Sequence, residues 1–415
     1  MERKNIKRVL IHSIVFSPDG VSTAYLYNDI ALGLTKSGFE VVVLTTTPHY
    51  NVIDSELLEQ PISKKLFGLY GLSDFHGIKV YHIPLKKYKR TIFRLFSFVY
   101  WHLYSLLFGL TFRNLNFVLS PSPPLSIGFI SLLIARIKGA KSVYNVQEIY
   151  PDLLINKGNL KSSLIINLLK KFEKFIYNNS AAVTTIDEVF YSQIKPRFLK
   201  SNKLHIIPNF VDTELYKPIE SNLILPPTFD KQNNKIKLLY AGNIGFFQDW
   251  EPILYAAKEL LNENIEFWII GEGVQKQYLE NSIKGQGLTN IKIYPYQNRS
   301  YMPAINNFAD IHFIVINKEM EQEGFPSKVY TIMACAKPLI VVTGVNTPLL
   351  NFLYDKDCSE IITKNRNVEF VRSIKKLAND KKLRLQLGNN GFKHIHDSYS
   401  KEIVISKYVN LLNTI

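Results

Sequence analysis

The chain has 415 residues, 46% hydrophobic and 20% charged, with 50 Lys and Arg against 35 Asp and Glu for a formal charge of +15. That length implies two domains of about 200 residues each, and the composition argues against disorder or a collagen-like repeat. The only cysteines, Cys335 and Cys358, lack partners at metal-ligand spacing, which fits a reducing compartment and argues against a disulfide framework or a zinc site.

The N-terminal MERKNIKRVLIHSIVF is basic and then apolar, but the apolar run is short and no small-residue cleavage site follows. It reads as a first strand rather than a signal peptide. RVLIHSIVF, the helical YLYNDIALGLTKSG and EVVVLTT make a β-α-β unit, with Gly38 where a helix C-terminus favours it. IKVYHIP, NFVLSPSP, KSVYNVQE and AAVTTID follow as strands, and Ser163–Tyr177 reads as one of the helices between them. Strands alternating with helices imply a parallel sheet covered on both faces.

Between Arg94 and Arg113 lie 18 residues without formal charge, dense in Phe, Tyr, Trp and Leu. Length alone makes this a borderline membrane span. The flanking strands IKVYHIP and NFVLSPSP must join one sheet, however, which a span would forbid. Lys86, Lys87, Lys89, Arg90 and Arg94 precede it, as in a helix lying in an anionic interface. Interface is favoured over a buried crossover helix, with Lys89, Arg90, Arg94, Phe98 and Trp101 as the expected membrane contacts.

After IIPNFVDTELYKP, the Pro- and Asn-rich IESNLILPPTFDKQNNK reads as a linker. KIKLLYAG, EFWIIGEG, IKIYPY, IHFIVI and KPLIVVT then supply a second strand series, and SKEIVISKYVNLLNTI a last amphipathic helix. The expected domains are therefore 1–210 and 236–395, joined by linker 211–235, with helix 396–415 packing back on the first. Doubly wound domains place ligands at the carboxyl ends of their strands. Residues 1–210 hold 26 basic against 13 acidic side chains, whereas the rest hold 24 against 22. A basic half beside a neutral one points to an anionic surface or acceptor. No nucleic-acid-binding signature occurs, so membrane or lipid pyrophosphate is favoured over nucleic acid.

The most informative segment is EGFPSKVYTIMACAKPLIVVT, residues 323–343. Pro326 and Ser327 read as a helix start with Lys328 in its first turn, an arrangement suited to phosphate. Glu323, just before, could accept hydrogen bonds from sugar hydroxyls; an ordinary capped helix with a solvated lysine is the alternative.

This segment resembles the signature of family 4 glycosyltransferases, in which a Glu, seven residues and a second Glu precede a small-residue helix; Glu323 matches the first, and the second falls on Thr331. PSKVYTIMACAKPLI looks like the branch of bacterial surface-polysaccharide fucosyl- and N-acetylfucosaminyltransferases. The resemblance implies a GT-B fold: two doubly wound Rossmann-like domains facing across a cleft, the first binding acceptor and membrane, the second the nucleotide-sugar. It implies Glu323, Gly324, Phe325 and Glu148 for the sugar, and Gly271, Tyr296, Gln297 and Thr331 for the nucleoside. For Tyr296 a buried structural role carries at least equal weight, given how many aromatics the chain has. For the donor diphosphate it implies Gly20, Gly242, Asn243, Gln248, Ser327 and Lys328. Asn243 and Gln248 stand where many relatives carry Arg and Lys, so Lys328 and helix N-termini would have to compensate. In YNVQEIYPD, Gln147 stands where many relatives carry His near the reacting carbon; Glu323, Gln147 and Lys328 are the expected catalytic set. Asp152 shares the functional expectation with Glu148, against capping or loop solvation, whereas Asp310 is expected to order the following strand.

The implied reaction is transfer with retention from a nucleotide-sugar, UDP-linked by the branch resemblance, to a polyprenyl-diphosphate-linked acceptor. No cofactor or metal is expected; the Asp355-Lys356-Asp357 triplet lies away from the other motifs. The implied location is cytoplasmic, peripheral on the inner face of a bacterial plasma membrane. Two rivals stand beside transfer: a sugar-nucleotide epimerase of the same fold, and a non-catalytic membrane-bound partner subunit.

Overall fold

The computed structural model describes residues 6–50, 52, 54–86, 88, 90–156, 158, 160–219, 223–227, 229, 234–321 and 325–415. It divides into two compact units, Met1–Asn209 with Glu402–Ile415, and Phe210–Lys401.

The first unit runs β1 (Arg8–His12), α1 (Ser22–Lys36), β2 (Glu40–Thr46), α2 (Asp54–Glu59), β3 (Ser63–Lys65), β4 (Tyr70–Phe75), β5 (Ile78–Ile83) and α3 (Thr91–Gly109). It continues with β6 (Phe117–Pro121), α4 (Leu125–Lys138), β7 (Lys141–Val146), α5 (Asp152–Asn156), α6 (Ser163–Asn179), β8 (Ala182–Thr185), α7 (Glu188–Ile194) and β9 (Leu204–Ile206). Among the described residues these strands form one sheet in the order β3-β4-β5-β2-β1-β6-β7-β8-β9. All neighbours pair in parallel except β3 with β4 and β4 with β5. The antiparallel β3–β4 hairpin is an addition to the expected parallel sheet, since SKK and YGLSDF carry no periodic apolar pattern.

The inner strands are continuous apolar runs because helices cover both faces. On one face α3, α4 and α6 lie side by side, with Trp101, Ile127, Ile130 and Ile134 packed on Leu10, Val42 and Leu44. Tyr144 and Val183 meet Ile176 and Tyr177 of α6. The alternate positions Asn145 and Thr184 point the other way, where Asn145 accepts from Tyr27 of α1.

Trp101 corrects an expectation. It is fully buried and stacks on the His12 ring at 5.5 Å, so it anchors α3 to the sheet instead of meeting a membrane. Phe98 is half-buried, its ring 4.2 Å from that of His102 on the same helix. Burial drives His12 down to about 3, leaving the imidazole neutral. Lys89 lies outside the described residues.

The second unit runs β10 (Ile236–Ala241), α8 (Glu251–Glu259), β11 (Ile265–Ile270), α9 (Lys276–Gly285), β12 (Ile291–Tyr294), α10 (Met302–Phe308) and β13 (Ile311–Val315). Then come α11 (Lys328–Ala334), β14 (Leu339–Val342), α12 (Pro348–Leu353), β15 (Ser359–Ile362), α13 (Arg366–Asn379) and α14 (Lys381–Tyr399). The sheet is parallel throughout, in the order β12-β11-β10-β13-β14-β15. Strand order reverses between β10 and β13, and the carboxyl ends there form the crevice at which doubly wound sheets take ligands. The short, polar β15 (SEII) is a further strand beyond the expected series. Asp310 has the expected ordering role: its carboxylate accepts from the Lys237 amide at 2.9 Å, fastening β13 to β10.

Described parts of the expected linker 211–235 are packed. Val211 bridges Ser400, and Phe229 stacks on Tyr294 at 4.2 Å beside Trp268, so these apolar residues join the second unit's core. The expected final helix is broken at Ser400; α15 (Lys401–Thr414) follows. Within the first unit Ile405 packs where a Cβ on Gly33 would stand, Tyr408 bonds Thr184, and Lys7 donates to Asn413 at 3.0 Å.

Replacing Trp101 by Ala removes the largest buried side chain under α3. It should cost roughly 3–5 kcal/mol in denaturant unfolding of the first unit, whereas the exposed Phe96→Ala should cost well under 1 kcal/mol.

Candidate functional site

At the switch point of the second sheet, two backbone turns lie against each other. Gly242 follows β10 at φ +149, and Gly271 follows β11 at φ +153. A Cβ on Gly271 would overlap the Gly242 carbonyl oxygen, and one on Gly242 would stand 2.5 Å from Lys328 Nζ. Both positions need glycine for conformation, and Gly271 needs it for space as well.

The Lys328 ammonium lies over the Tyr240 ring, 3.7 Å from its centroid, where the negative face of the π-system meets the charge. The Tyr240 hydroxyl donates to the Asn243 carbonyl at 2.7 Å. Burial pushes the Lys328 ammonium down to about 7, so desolvation outweighs what the ring returns. A cavity of about 70 Å³ opens beside it, lined by Tyr216, Asn306, His312, Lys328 and Thr331. Sequence reasoning missed Tyr216, Tyr240, Asn306 and His312. Of these only Tyr240 left a signal, as the penultimate residue of a strand before a glycine turn.

The helix start at Pro326–Ser327 differs from expectation. α11 has only 7 residues, and two of its amides turn back on the chain before it: Val329 N–H bonds Pro326 O at 3.0 Å, and Tyr330 N–H bonds Ser327 O at 3.2 Å. Ser327 is exposed and its hydroxyl makes no cap. Thr331 lines the cavity but returns its hydroxyl to Lys328 O at 2.9 Å. Phe325, expected at the sugar, packs instead on Tyr330 at 5.2 Å and Phe352 at 4.9 Å. Glu323 and Gly324 lie outside the described residues.

Asn243 is exposed at the glycine turn, whereas Gln248 is buried at 4% exposure and its amide oxygen finds no partner. The two positions that share a role in the resemblance thus lie in different environments. Tyr296 is 59% exposed, which removes the buried structural alternative, and Gln297 donates to Pro295 O at 2.8 Å. Arg366, which no motif marked, joins the two loops of the crevice. It donates to Ile316 O at 2.8 Å, pairs with Glu321, and approaches Asp249 at 3.6 Å. Asp249 ends the glycine loop, while Glu321 stands before the 325–328 turn.

In the first unit, Gly20 is buried, its N–H on Tyr50 O at 2.9 Å. Neighbouring Asp19, 1% exposed, accepts the His49 and Tyr50 amides at 2.7 and 2.8 Å through one oxygen; its other oxygen is unpaired. Desolvation raises its carboxyl above the usual range. Gln147 differs from a side chain aimed at substrate. Its amide nitrogen donates to Asn145 at 2.6 Å and Asn209 at 3.0 Å, and its oxygen accepts from Asn209 at 2.9 Å. Both ends are engaged inside the unit, so Gln147 orders the loop after β7. Glu148 is exposed, its amide bonded to Ser122 Oγ at 3.1 Å. Asp152 joins Arg197 and the buried Glu173 in an ion cluster and is structural. Among the described residues no three His, Cys, Asp or Glu side chains gather as metal ligands, and Asp355 and Asp357 sit in a turn at positive φ.

Comparison with known proteins places this geometry in a class. Residues 225–394 match the family model "Glycosyl transferases group 1". WcaI of Escherichia coli strain K12, named as a glycosyl transferase of colanic acid biosynthesis, is 23% identical over 352 residues, 82% of this chain and 84% of that protein. WbjE of Pseudomonas aeruginosa, named as a glycosyltransferase, is 27% identical over 236 residues, 55% of this chain and 58% of its own. Among solved structures, Anabaena HepE in complex with UDP superposes with a TM-score of 0.71 at 11% identity, covering 99% of this chain and 100% of HepE. The lipopolysaccharide glycosyltransferase WaaG superposes at 0.64 with 12% identity, covering 98% and 99%. The fold is GT-B, with two Rossmann-like units, and the chain is a glycosyltransferase in class.

Gly271→Ala should destabilise the second unit by about 1–3 kcal/mol, read as an earlier denaturant midpoint, because the added methyl meets backbone that cannot turn aside. Gly285→Ala, where a Cβ meets nothing, is the control.

Proposed function

We propose that this chain transfers a sugar, with retention at the anomeric carbon, from a UDP-sugar to a polyprenyl-diphosphate-linked acceptor during assembly of a bacterial surface polysaccharide. The observation that carries the reading is the Lys328 ammonium held over Tyr240 at the switch point. Support for the substrate classes comes from the name of WcaI, from HepE structures with UDP and UDP-glucose, and from the basic first unit. The proposed sugar is an N-acetylated 6-deoxyhexose, on the resemblance of PSKVYTIMACAKPLI to the fucosyl- and N-acetylfucosaminyltransferase branch.

In the proposed reaction an acceptor hydroxyl attacks the anomeric carbon from the face the diphosphate leaves. The carbon–oxygen bond to phosphate breaks, and the hydroxyl proton passes to the departing phosphate oxygen. No strong protein base is needed, in keeping with Gln147 at the place of the usual His. Charge grows on the leaving diphosphate, and a preorganised ammonium in a site shielded from water stabilises it. Glu323 is proposed to orient the sugar, with Thr331 and Tyr296 near the nucleoside. The reaction is proposed to need no resident metal, so chelation should leave turnover unchanged. The location proposed is the cytoplasmic face of the plasma membrane, with the outer side of α3 in the interface.

Nucleotide release from a panel of UDP- and GDP-sugars, with and without a polyprenyl-diphosphate-sugar, tests this directly. Acceptor-dependent release from one donor supports transfer. Acceptor-independent conversion of donor would replace it with epimerisation, and silence across the panel with a non-catalytic subunit. Lys328→Ala should lower turnover by about 10²–10³, the cost of losing one transition-state charge partner, with the melting temperature retained.

Donor binding should also take up protons. With an ammonium that deprotonates near 7 when unliganded, a bound diphosphate raises that value by its charge. Affinity for a UDP-sugar, itself fully ionised, should fall as pH rises above 7. Calorimetry at pH 8 in buffers of different ionisation enthalpy should show net uptake approaching one proton, absent in Lys328→Met. The stability sign is opposite to the usual salt-bridge case. The folded value lies below the unfolded 10.5, so the penalty is present below pH 7 and is relieved as pH rises towards 10.

A further inference from the structure

The outer surface of the α3–α4–α6 layer carries a second feature besides α3 itself. Along α3 the residues Phe93, Phe96, Tyr100, Leu103 and Leu107 recur at helical spacing and are each between 48% and 66% exposed. The opposite side of the same helix, Trp101 and Ser105, is fully buried, so α3 cannot leave the sheet to span a bilayer. On α6, Leu164, Leu168 and Phe175 form a second exposed row, at 77%, 64% and 44%. α4 lies between the two helices. Gly109 of α3 closes on its Ile134, and its Phe129 touches Phe172 and Phe175 of α6 at 5.1 and 6.2 Å. Both rows therefore look outward from one side of one sheet. Exposed apolar area of this extent marks an interaction surface.

Charge identifies the partner. Residues 75–147 contain no Asp or Glu at all. In α6 the only acid, Glu173, is buried against Arg197, while Lys170, Lys171 and Lys174 are exposed. Arg90 and Arg94 flank the first row and are exposed too. A surface with apolar rows, basic edges and no exposed acid on its helices complements an anionic lipid leaflet. A protein partner of ordinary composition would call for some acidic groups at the rim.

We propose that the α3–α4–α6 layer as a whole docks flat on an anionic bilayer, with α6 a second contact as necessary as α3. This rests on the membrane reading above and extends it to a helix that no sequence motif marked. Two contacts, unlike one helix, fix the orientation of the unit on the membrane. They would bring the carboxyl ends of its strands to a constant height above the headgroups.

Flotation of the full chain with vesicles of phosphatidylglycerol and phosphatidylcholine in equal parts, and of phosphatidylcholine alone, tests it. The wild type should bind the anionic vesicles and not the neutral ones. Leu164→Glu/Leu168→Glu should weaken that binding by about tenfold or more, as should Phe96→Glu/Leu103→Glu, both with unchanged melting temperature. Lys170→Gln/Lys171→Gln/Lys174→Gln should weaken it severalfold and flatten its salt dependence. If only the α3 variant loses binding, the three-helix surface is overturned while the membrane reading survives. If the wild type ignores anionic vesicles, both fall. A dimer that persists with vesicles and is broken by the α6 variant would assign this face to a second copy and overturn the proposal.

Discussion

One partly buried cation sits at the switch point of the second unit. The Lys328 ammonium sits on the Tyr240 ring beside a glycine turn, and desolvation lowers its pKa to about 7. A charge so poorly solvated needs either a proton lost or an anion gained. The surrounding parts follow from that need. Gly242 leaves room for the ammonium, Gly271 lets the next turn close against Gly242, and the Tyr240 hydroxyl ties down Asn243. Arg366 then joins the loops after β10 and β13, so the crevice is one cross-linked assembly of two loops.

The first unit solves a different problem. Its sheet must be covered on both faces, yet α3 is apolar around most of its circumference. Trp101 and Ser105 satisfy the sheet, and Phe96, Tyr100 and Leu103 remain outside. The cost of exposing those side chains to water is what makes the face consequential, and the absence of acid from residues 75–147 gives it a sign. Gln147, by contrast, shows a polar side chain drawn inward. The amides of Asn145 and Asn209 were available, and together they satisfy every end of the glutamine.

Much of the fold was legible because buried parallel strands are unbroken β-branched runs, as in EVVVLTT, EFWII and LIVV. Strands that lie at edges were not: SKK, YGLSDF and SEII have neither length nor alternation, and only pairing makes them strands. The Pro- and Asn-rich stretch before β10 read as a linker because composition cannot show that Phe229 will find Tyr294 and Trp268. Phe325 misled in the same way. Its place in a motif suggested substrate, and its neighbours Tyr330 and Phe352 claim it for the core.

By itself the sequence determined the alternation of strands and helices, the doubly wound class and the concentration of positive charge in the first half. Those properties are local: they depend on period, propensity and composition over a few residues. The tertiary structure alone decided that Lys328 meets Tyr240, that Arg366 reaches Glu321, that Trp101 turns inward and that the exposed row of α6 shares a layer with that of α3. Each of these joins residues far apart in the chain, and which face of an apolar helix is buried depends on the sheet that receives it rather than on the helix.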